Sequence, residues 1–197
     1  MSMRVIVNNA DVEIRTASAA DGPSLYALIA ANREEGRLLP RTLDELSVHA
    51  SRFVVAIRRG VIVGCAELAP LSPTVAEVRS LAVDRRARGS GLGLRIVDEI
   101  GRRARIDGYT KLCAFAHAPG FFVRLGFSIV PHRRIPEKIA HDCVACAHFI
   151  GCGQHALVLE LHASVPRHGP APRVRTVARS RRAVRTPMSA QEGPGVR

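Results

Sequence analysis

The stretch Glu77-Val78-Arg79-Ser80-Leu81-Ala82-Val83, separated by four residues from Arg88-Gly89-Ser90-Gly91-Leu92-Gly93, decides the fold of this chain. Residues 76–83 form a short, largely apolar run, which is typical of a strand. From residue 92 to residue 106 the apolar residues recur at helical spacing, which predicts an amphipathic helix. The apolar stripe of this helix consists of Leu92, Ile96, Val97, Ile100 and Ala104. A glycine-rich loop therefore joins the end of a strand to the start of a helix.

Such a loop is suited to binding a phosphate group. The first N–H groups of a helix lack partners within it, the helix dipole adds positive charge, and glycine lets an anion approach closely. Arg85, Arg86 and Arg88 add full charges. A dinucleotide fingerprint would need a third glycine where Ile96 stands, and a Walker loop would need Gly-Lys-Ser/Thr, which the sequence lacks. A tight turn without a ligand stays open as the alternative.

The remaining elements predict an α/β (α+β) fold. It is a single domain with a mixed central sheet of about six to seven strands flanked by helices. Further strands are predicted at 12–15, 53–57, 61–66, 112–116, 127–130 and 156–161, and further helices after Ser18, after Thr42 and at 120–125. In the second helix we expect Leu43 and Leu46 to point inward, and the pattern of 131–155 is irregular. The predicted domain covers 12–162, between an N-terminal extension (1–11) and a tail (163–197).

The net charge of +12 is concentrated in the tail, which holds eight Arg against one acidic residue, Glu192. Residues 163–197 are rich in Pro, Arg, Ser and Gly without periodicity, which predicts disorder. The tail has no aromatic side chains for base stacking, so nucleic acid is not an expected partner. No apolar run approaches the ~20 residues of a bilayer span, and no signal segment is evident. We therefore expect a cytoplasmic protein without membrane contact.

Two motifs resemble those of the GNAT acetyltransferase superfamily. Ser80 to Asp84, the loop Arg86-x-Arg88-Gly89-x-Gly91-x-Gly93 and the following helix resemble its central motif, and Phe121-Phe122-x-x-Leu125-Gly126-Phe127 is similar to its second motif. The resemblance implies acetyl-coenzyme A as co-substrate. The strand would bind the pantetheine through its backbone, the loop amides would bind the pyrophosphate, and the second motif would border the coenzyme. The residues so implied are Leu81, Ala82, Val83, Arg88, Gly89, Ser90, Gly91, Leu92, Gly93 and Phe122.

Further segments resemble short, stand-alone bacterial N-acetylglutamate synthases. They are Leu38-Leu39-Pro40-Arg41-Thr42, and Pro136-Glu137-Lys138 followed by Asp142-Cys143-x-x-Cys146. The resemblance implies acetylation of the α-amine of L-glutamate, or of L-glutamine, as the first step of arginine biosynthesis. It also implies a homodimer as one arrangement, because the superfamily is often dimeric. The alternatives are another amine, such as a protein N-terminus or a small molecule, and a non-enzymatic basic interaction protein.

The same resemblance suggests residues for acceptor chemistry. Glu77 stands where these enzymes often place a base that acts directly or through water. An exposed carboxylate at a strand edge is the alternative interpretation of Glu77. Arg41 matches a substrate-binding arginine of the synthases, and Arg79 lies on the same strand face as Glu77. Ser80 completes the predicted substrate-binding set. Many family members carry a general-acid Tyr in the second motif, where this chain has Phe121 and Phe122, so the general acid is unassigned.

Three of the five cysteines cluster late in the chain. Cys143, Cys146 and Cys152, with His155, would supply ligands of the type found in structural zinc sites. Only one pair has the short spacing of such sites, and a second pair is missing. Free thiols or a redox-sensitive loop are the favoured interpretation, and no metal is expected.

Overall fold

The computed structural model describes residues 11–36, 38–146, 149 and 151–161, which build a seven-stranded mixed sheet. Its strands are β1 (Val12–Thr16), β2 (Phe53–Arg58), β3 (Val61–Pro70), β4 (Val75–Val83), β5 (Lys111–Ala116), β6 (Ser128–Val130) and β7 (His155–Glu160). Their order is β1-β2-β3-β4-β5-β7-β6. Only the β4–β5 pair is parallel among these neighbours. The predicted mixed sheet is confirmed, whereas the predicted tail (163–197) and nearly all of the extension (1–11) lie outside the described residues.

Helices cover both faces of the sheet. They are α1 (Gly22–Gly36), α2 (Leu43–Val48), α3 (Leu92–Ile106), α4 (Gly120–Val123) and α5 (Pro136–Lys138). The predicted stripe of α3 is buried against one face, and Leu25 and Leu46 lie in a second core on the other face. A Cβ atom at Gly64 would lie 2.7 Å from Ile96 Cδ1, so glycine allows α3 to pack closely on β3.

Local sequence signals explain where several elements begin. The Asp21 carboxylate accepts a hydrogen bond from the Ser18 N–H at 2.7 Å, which caps the turn leading into α1. Thr42 caps α2 by accepting a hydrogen bond from Glu45 N–H. Both Arg59 and Gly60 have positive φ, as a two-residue hairpin between β2 and β3 requires.

Two expectations about the fold are wrong. Leu43, which we expected to point inward, is 42% exposed, because only Leu46 of this six-residue helix lies on its buried face. The segment 131–155, expected to be irregular, contains a 3₁₀ turn (His132–Arg134), α5 and a π-helical turn (Ile139–Cys143). Its helical part begins at Pro136, since proline is favoured in a first helical turn.

The parallel strands β4 and β5 pair over only part of their length. Their register joins Val75 to Lys111 and ends with Glu77 opposite Cys113. Beyond that pair the remainder of β4, through Val83, continues beside β3. The two strands therefore diverge at Glu77 and leave an opening in the middle of the sheet.

A bulge in β4 lies at this opening. Across the β3–β4 ladder, Cys65 pairs with Ala82 and Glu67 with Arg79, so three steps on β4 match two on β3. The extra residue falls at Ser80, whose φ of 52° lies in the left-handed region.

Among the described residues, no helix is long and apolar enough to cross a membrane.

Candidate active site

A cavity of about 1350 Å³ opens where β4 and β5 diverge. Its walls come from the loop before α2, from β4, from the end of β5 and from the segment after β6. Residues from these parts, together with Phe122 of α4, include Arg41, Glu77, Arg79, Ser80, Leu81, His117, His132, Lys138 and Asp142. The cavity thus brings together the predicted base, the predicted substrate-binding residues and two of the residues assigned to the coenzyme.

Glu77 lies in a buried ionic cluster on one side of this cavity. Only 4% of the residue is exposed, so it is not a solvated strand-edge carboxylate. Lys138 Nζ donates to both of its oxygens, at 2.9 and 2.8 Å, and Arg79 donates from Nε and Nη2 to Oε2. The predicted pairing of Glu77 and Arg79 on one strand face is present. Two cations hold this carboxylate in one orientation.

Asp142 completes this cluster from the π-helical turn. Its carboxylate accepts hydrogen bonds from Arg79 Nη2 and, at 2.7 Å, from Lys138 Nζ. Burial by itself would raise the pKa of Asp142, but hydrogen bonds from Lys138 and His141 and the charge of Arg79 lower it to about 2. The four side chains Glu77, Arg79, Lys138 and Asp142 therefore form a charge-balanced network of two cations and two anions.

Arg41 lies in a second cluster that also borders the cavity. Its side chain is 7% exposed, and Nη1 donates to Glu67 Oε2 at 2.8 Å and to Ser80 Oγ at 2.9 Å. Nε lies 2.8 Å from Glu45 Oε1 but is not aligned for a hydrogen bond. The guanidinium also lies 5.8 Å from the centre of the Phe53 ring. Arg41 is thus fixed by an internal carboxylate and a hydroxyl, with one edge at the cavity.

The glycine loop lies beyond the cavity, at the end of β4. Gly89 and Gly91 have φ values of 76° and 79°, and Gly91 directly precedes α3. Added Cβ atoms would meet nothing within 4 Å, so these positions need glycine for its backbone conformation rather than for lack of space. A Cβ atom added at Gly93 would lie 3.4 Å from the Phe121 ring, and Leu92 is buried. The N-cap residue of α3, Gly91, has no side chain with which to cap the helix.

Polar side chains hold this loop in place. Ser90 Oγ donates to the Ala87 carbonyl at 2.6 Å. Arg88 donates from Nε to the Val83 carbonyl and from Nη2 to Asn32 Oδ1, which ties the loop to α1. The guanidinium of Arg88 therefore has structural partners within the chain, and its backbone N–H donates to the Arg85 carbonyl at 3.4 Å.

The apolar residues assigned to the coenzyme border the same opening. Leu81 and Val83 are half-buried against the core beneath α3, and Ala82 is buried on the other face. Phe122 of α4 is 6% exposed and packs edge-on against Phe127. Of these residues, Leu81 and Phe122 also line the cavity.

The three clustered cysteines also line the cavity. Cys143 and Cys146 are half-buried, whereas Cys152 and His155 are exposed. Within the described part of the chain, no group of three or more His, Cys, Asp or Glu is arranged to hold a metal ion. The alternative zinc site therefore has no support from these residues.

Two residues of the ionic clusters, Glu67 and Lys138, were not predicted from the sequence. Glu67 is 1% exposed within a strand of otherwise apolar residues, and a lone charge in such a run is a signal for a buried ion pair. Lys138 is one of only two lysines in a chain with 27 arginines, and it lay within a segment already recognised. His117 and His132, which also reach the cavity, were not singled out either.

Comparison with known proteins identifies the family. Residues 49–129 match the acetyltransferase (GNAT) domain. An uncharacterized N-acetyltransferase of Chlorobaculum tepidum is 30% identical over 152 residues, which cover 77% of this chain and 98% of that protein. An amino-acid acetyltransferase of Neisseria meningitidis is 33% identical over 159 residues, which cover 80% of this chain but 36% of that protein.

A solved structure agrees with these relatives. The N-acetylglutamate synthase of Neisseria gonorrhoeae, complexed with coenzyme A and N-acetyl-glutamate, matches with a TM-score of 0.70 and 32% identity. The match covers 79% of this chain and 36% of that one, so the chain spans about a third of the length of the synthase. The similarity to the Chlorobaculum protein, in contrast, extends over nearly its whole length. The family expected from the sequence is confirmed: the chain belongs to the GNAT family of acetyltransferases.

Proposed function

We propose that this enzyme transfers an acetyl group from acetyl-coenzyme A to the α-amine of L-glutamate, with L-glutamine as the alternative acceptor. The observation that carries the proposal is the cavity at the β4–β5 opening, which is lined by two arginines held by internal carboxylates, the buried Arg41 and the half-buried Arg79. Guanidinium groups bind carboxylates through paired hydrogen bonds. The amino-acid acetyltransferases that resemble this chain support the same acceptor class.

The donor would enter through the opening between the strands. The pyrophosphate would bind the N–H groups of the loop from Arg88 to Gly93, and the pantetheine would follow Leu81 and Val83 into the cavity. Phe122 would border it. This route would carry the thioester from the exposed helix terminus to the buried ionic cluster.

The acceptor would bind against cations that already have internal partners. Arg41 donates to Glu67 and Ser80, and Arg79 donates to Glu77 and Asp142. These partners fix the guanidinium groups, so that their remaining N–H groups are presented in one geometry and little side-chain entropy is lost on binding. The choice of acceptor would then depend on the spacing of the two guanidinium groups rather than on the net charge of the cavity.

The chemistry requires the acceptor amine to lose its proton, attack the thioester carbonyl and release the coenzyme as a thiol. A nitrogen–carbon bond forms and the carbon–sulfur bond breaks, while one proton leaves the amine and one reaches the sulfur. Glu77 is our candidate for receiving the amine proton through a water molecule, since Lys138 and Arg79 occupy its oxygens directly. A thiol has a pKa of about 8 to 9, so the thiolate leaves readily without a dedicated acid.

The acceptor proposal is tested by coenzyme A release with a panel of amines and by one arginine substitution. We expect turnover with glutamate or glutamine, and Arg41→Met should abolish it while acetyl-coenzyme A still binds. Arg59→Met, in the exposed hairpin turn, is the matched control and should behave as wild type. Turnover confined to a peptide N-terminus or an aminoglycoside, or an unchanged glutamate KM in Arg41→Met, would refute the assignment.

We also propose that residues 12–162 are sufficient for this activity in the cytoplasm. The described residues that line the cavity all lie between residues 38 and 154. A chain truncated after residue 162 should keep full turnover, and its size in solution will show whether the enzyme acts as a homodimer. Acetylated glutamate would supply the first intermediate of arginine biosynthesis, so the gene should complement a strain that requires arginine.

A further inference from the structure

Cys143, Cys146 and Cys152 have no part in the proposed acetyl transfer, although all three line the cavity in which it would occur. Each is a free thiol and each is at least partly accessible. The two other cysteines of the chain, Cys65 and Cys113, are fully buried in strands. The accessible thiols are therefore gathered on the wall of one cavity.

The backbone brings two of these thiols within bonding range. The Cys146 N–H donates to the Cys143 carbonyl at 3.0 Å, which closes a turn over the four residues 143–146. Such a turn holds its end Cα atoms less than about 7 Å apart. Disulfides typically join residues whose Cα atoms are about 4.4–6.8 Å apart. A bond between Cys143 and Cys146 thus needs side-chain rotation and little movement of the chain.

The surroundings of the two sulfurs suggest different roles. Burial raises the pKa of the Cys143 thiol, and the nearby Cys152, Asp142 and Cys146 raise it further against the opposing charge of Lys138. A thiol that resists ionisation is a slow first nucleophile. Cys143 is therefore suited to the second, intramolecular step, which leaves the first attack on an incoming disulfide to Cys146.

We propose that Cys143 and Cys146 form a dithiol modification site that reacts with low-molecular-weight disulfides. The Cys146 thiolate attacks one sulfur of the small disulfide, forming a mixed disulfide and releasing one small thiolate. Cys143, losing its proton to solvent, then attacks the Cys146 sulfur and releases the second small thiol. Two protein thiols are oxidised to one disulfide, and one small disulfide is reduced to two thiols.

Coenzyme A disulfide is one source of this chemistry, and its relevance rests on the proposed function. The acetyl-transfer reaction would release coenzyme A as a thiol into the same cavity, so the coenzyme site could deliver its disulfide to Cys146. Glutathione disulfide has the same reactive bond but would have to enter from the cavity mouth. The two sources are distinguished by the rates at which they oxidise the cysteine pair.

Oxidation should affect the acceptor side of the cavity. Cys143 directly follows Asp142, whose carboxylate bridges Arg79 and Lys138. Closing the disulfide would draw the sulfurs to about 2.05 Å and tighten the turn beside this carboxylate. Acetyl transfer should therefore slow on oxidation and recover on reduction.

The full-length protein provides the test. It is incubated with coenzyme A disulfide or with glutathione disulfide, free thiols are alkylated, and the intact mass is measured. Chymotrypsin cleaves after Phe149 and so separates Cys143 and Cys146 from Cys152. In the oxidised wild type we expect two thiols to escape alkylation, and their disulfide, two hydrogens lighter than the dithiol, to lie in the fragment that holds Cys143 and Cys146.

Single substitutions define the pair. Cys143→Ser should stop at a mixed disulfide on Cys146, and Cys152→Ser, the matched control, should form the disulfide as wild type does. If coenzyme A disulfide oxidises the pair faster than glutathione disulfide does, it enters through the coenzyme site. Equal rates would indicate that both enter through the cavity mouth. Any of three results would overturn the proposal: a cross-link to the Cys152 fragment, a protein disulfide that still forms in Cys146→Ser, or no reaction with either small disulfide. The mass measurement needs no turnover, so its result stands independently of the acceptor assignment.

Discussion

Replacing Lys138 by methionine should destabilise the fold substantially, although this lysine lies in a short helical turn near the end of the domain. The side chain is 11% exposed and donates three hydrogen bonds, two to Glu77 and one to Asp142. Removing one partner of a buried ion pair costs about 3–5 kcal/mol, because the other charge stays buried without compensation. Arg79 still neutralises Glu77 in the variant, so we expect the lower end, about 3 kcal/mol.

The free energy of unfolding is measured by urea denaturation followed by circular dichroism. With a denaturant slope of about 2 kcal/mol/M, the midpoint of Lys138→Met should fall by about 1.5 M. Arg102→Met is the matched control, because Arg102 pairs with Glu99 on the solvent face of α3 and is 60% exposed. Its midpoint should not change measurably.

A double substitution separates charge from packing. In the double variant Glu77→Gln/Lys138→Met the unpaired buried charge is gone. The loss in the free energy of unfolding should therefore be smaller than the sum of the losses in the two single variants. The reasoning is refuted if Lys138→Met unfolds at the wild-type midpoint, or if the double variant is no more stable than Lys138→Met alone. Either result would mean that the ionic cluster is solvated enough to tolerate an unpaired carboxylate.

Two further predictions concern the loop and the pH dependence. Gly91→Ala should weaken acetyl-coenzyme A binding at least tenfold in a calorimetric titration and cost about 1 kcal/mol of stability, because φ at Gly91 is 79°. Gly101→Ala is the control within α3, where the added Cβ atom would meet only the Arg105 side chain, at 3.4 Å. It should leave binding unchanged in the same titration. The lowered pKa of Asp142, from 3.8 to about 2, means that its ionised form stabilises the fold above pH 3.8 and that this contribution is lost as the pH falls through about 2. Urea midpoints measured across this window should fall less steeply in Asp142→Asn than in the wild type, and parallel profiles would contradict this assignment.

The sequence predicts the fold well where the information is local. The stripe of α3 and the run of β4 depend on residues within one element, and both were located to within a residue. Leu43 was misjudged because six residues give too little periodicity to decide which side of a helix is buried. The turns between 131 and 155 were missed because they change helical type every few residues, so no single period describes them.

In the candidate site, too, local features can be predicted from the sequence, whereas contacts between distant residues cannot. The Glu77–Arg79 pair follows from alternation along one strand, which is a local rule. Lys138 lies 61 residues from Glu77 in sequence, and Glu67 lies 26 residues from Arg41, so tertiary packing alone brings each pair together. Hydrophobic patterning does indicate that Glu67 is buried, but it does not indicate which cation accompanies it.

The bulge at Ser80 explains how one strand serves both the ionic cluster and the apolar core beneath α3. Strict alternation would place Leu81 and Val83 on the same face as Glu77 and Arg79. Instead they pack under α3, in the core that holds the even-numbered Ala76 and Val78. The extra residue at Ser80 shifts the alternation by one, so the charged half of β4 faces the ionic cluster while its later half faces the helix that follows the glycine loop. Because Ser80 also accepts a hydrogen bond from Arg41, the residue that shifts the alternation is held by the arginine we assign to the acceptor. The strand that would guide the donor and the arginine that would bind the acceptor are thus coupled through a single backbone irregularity.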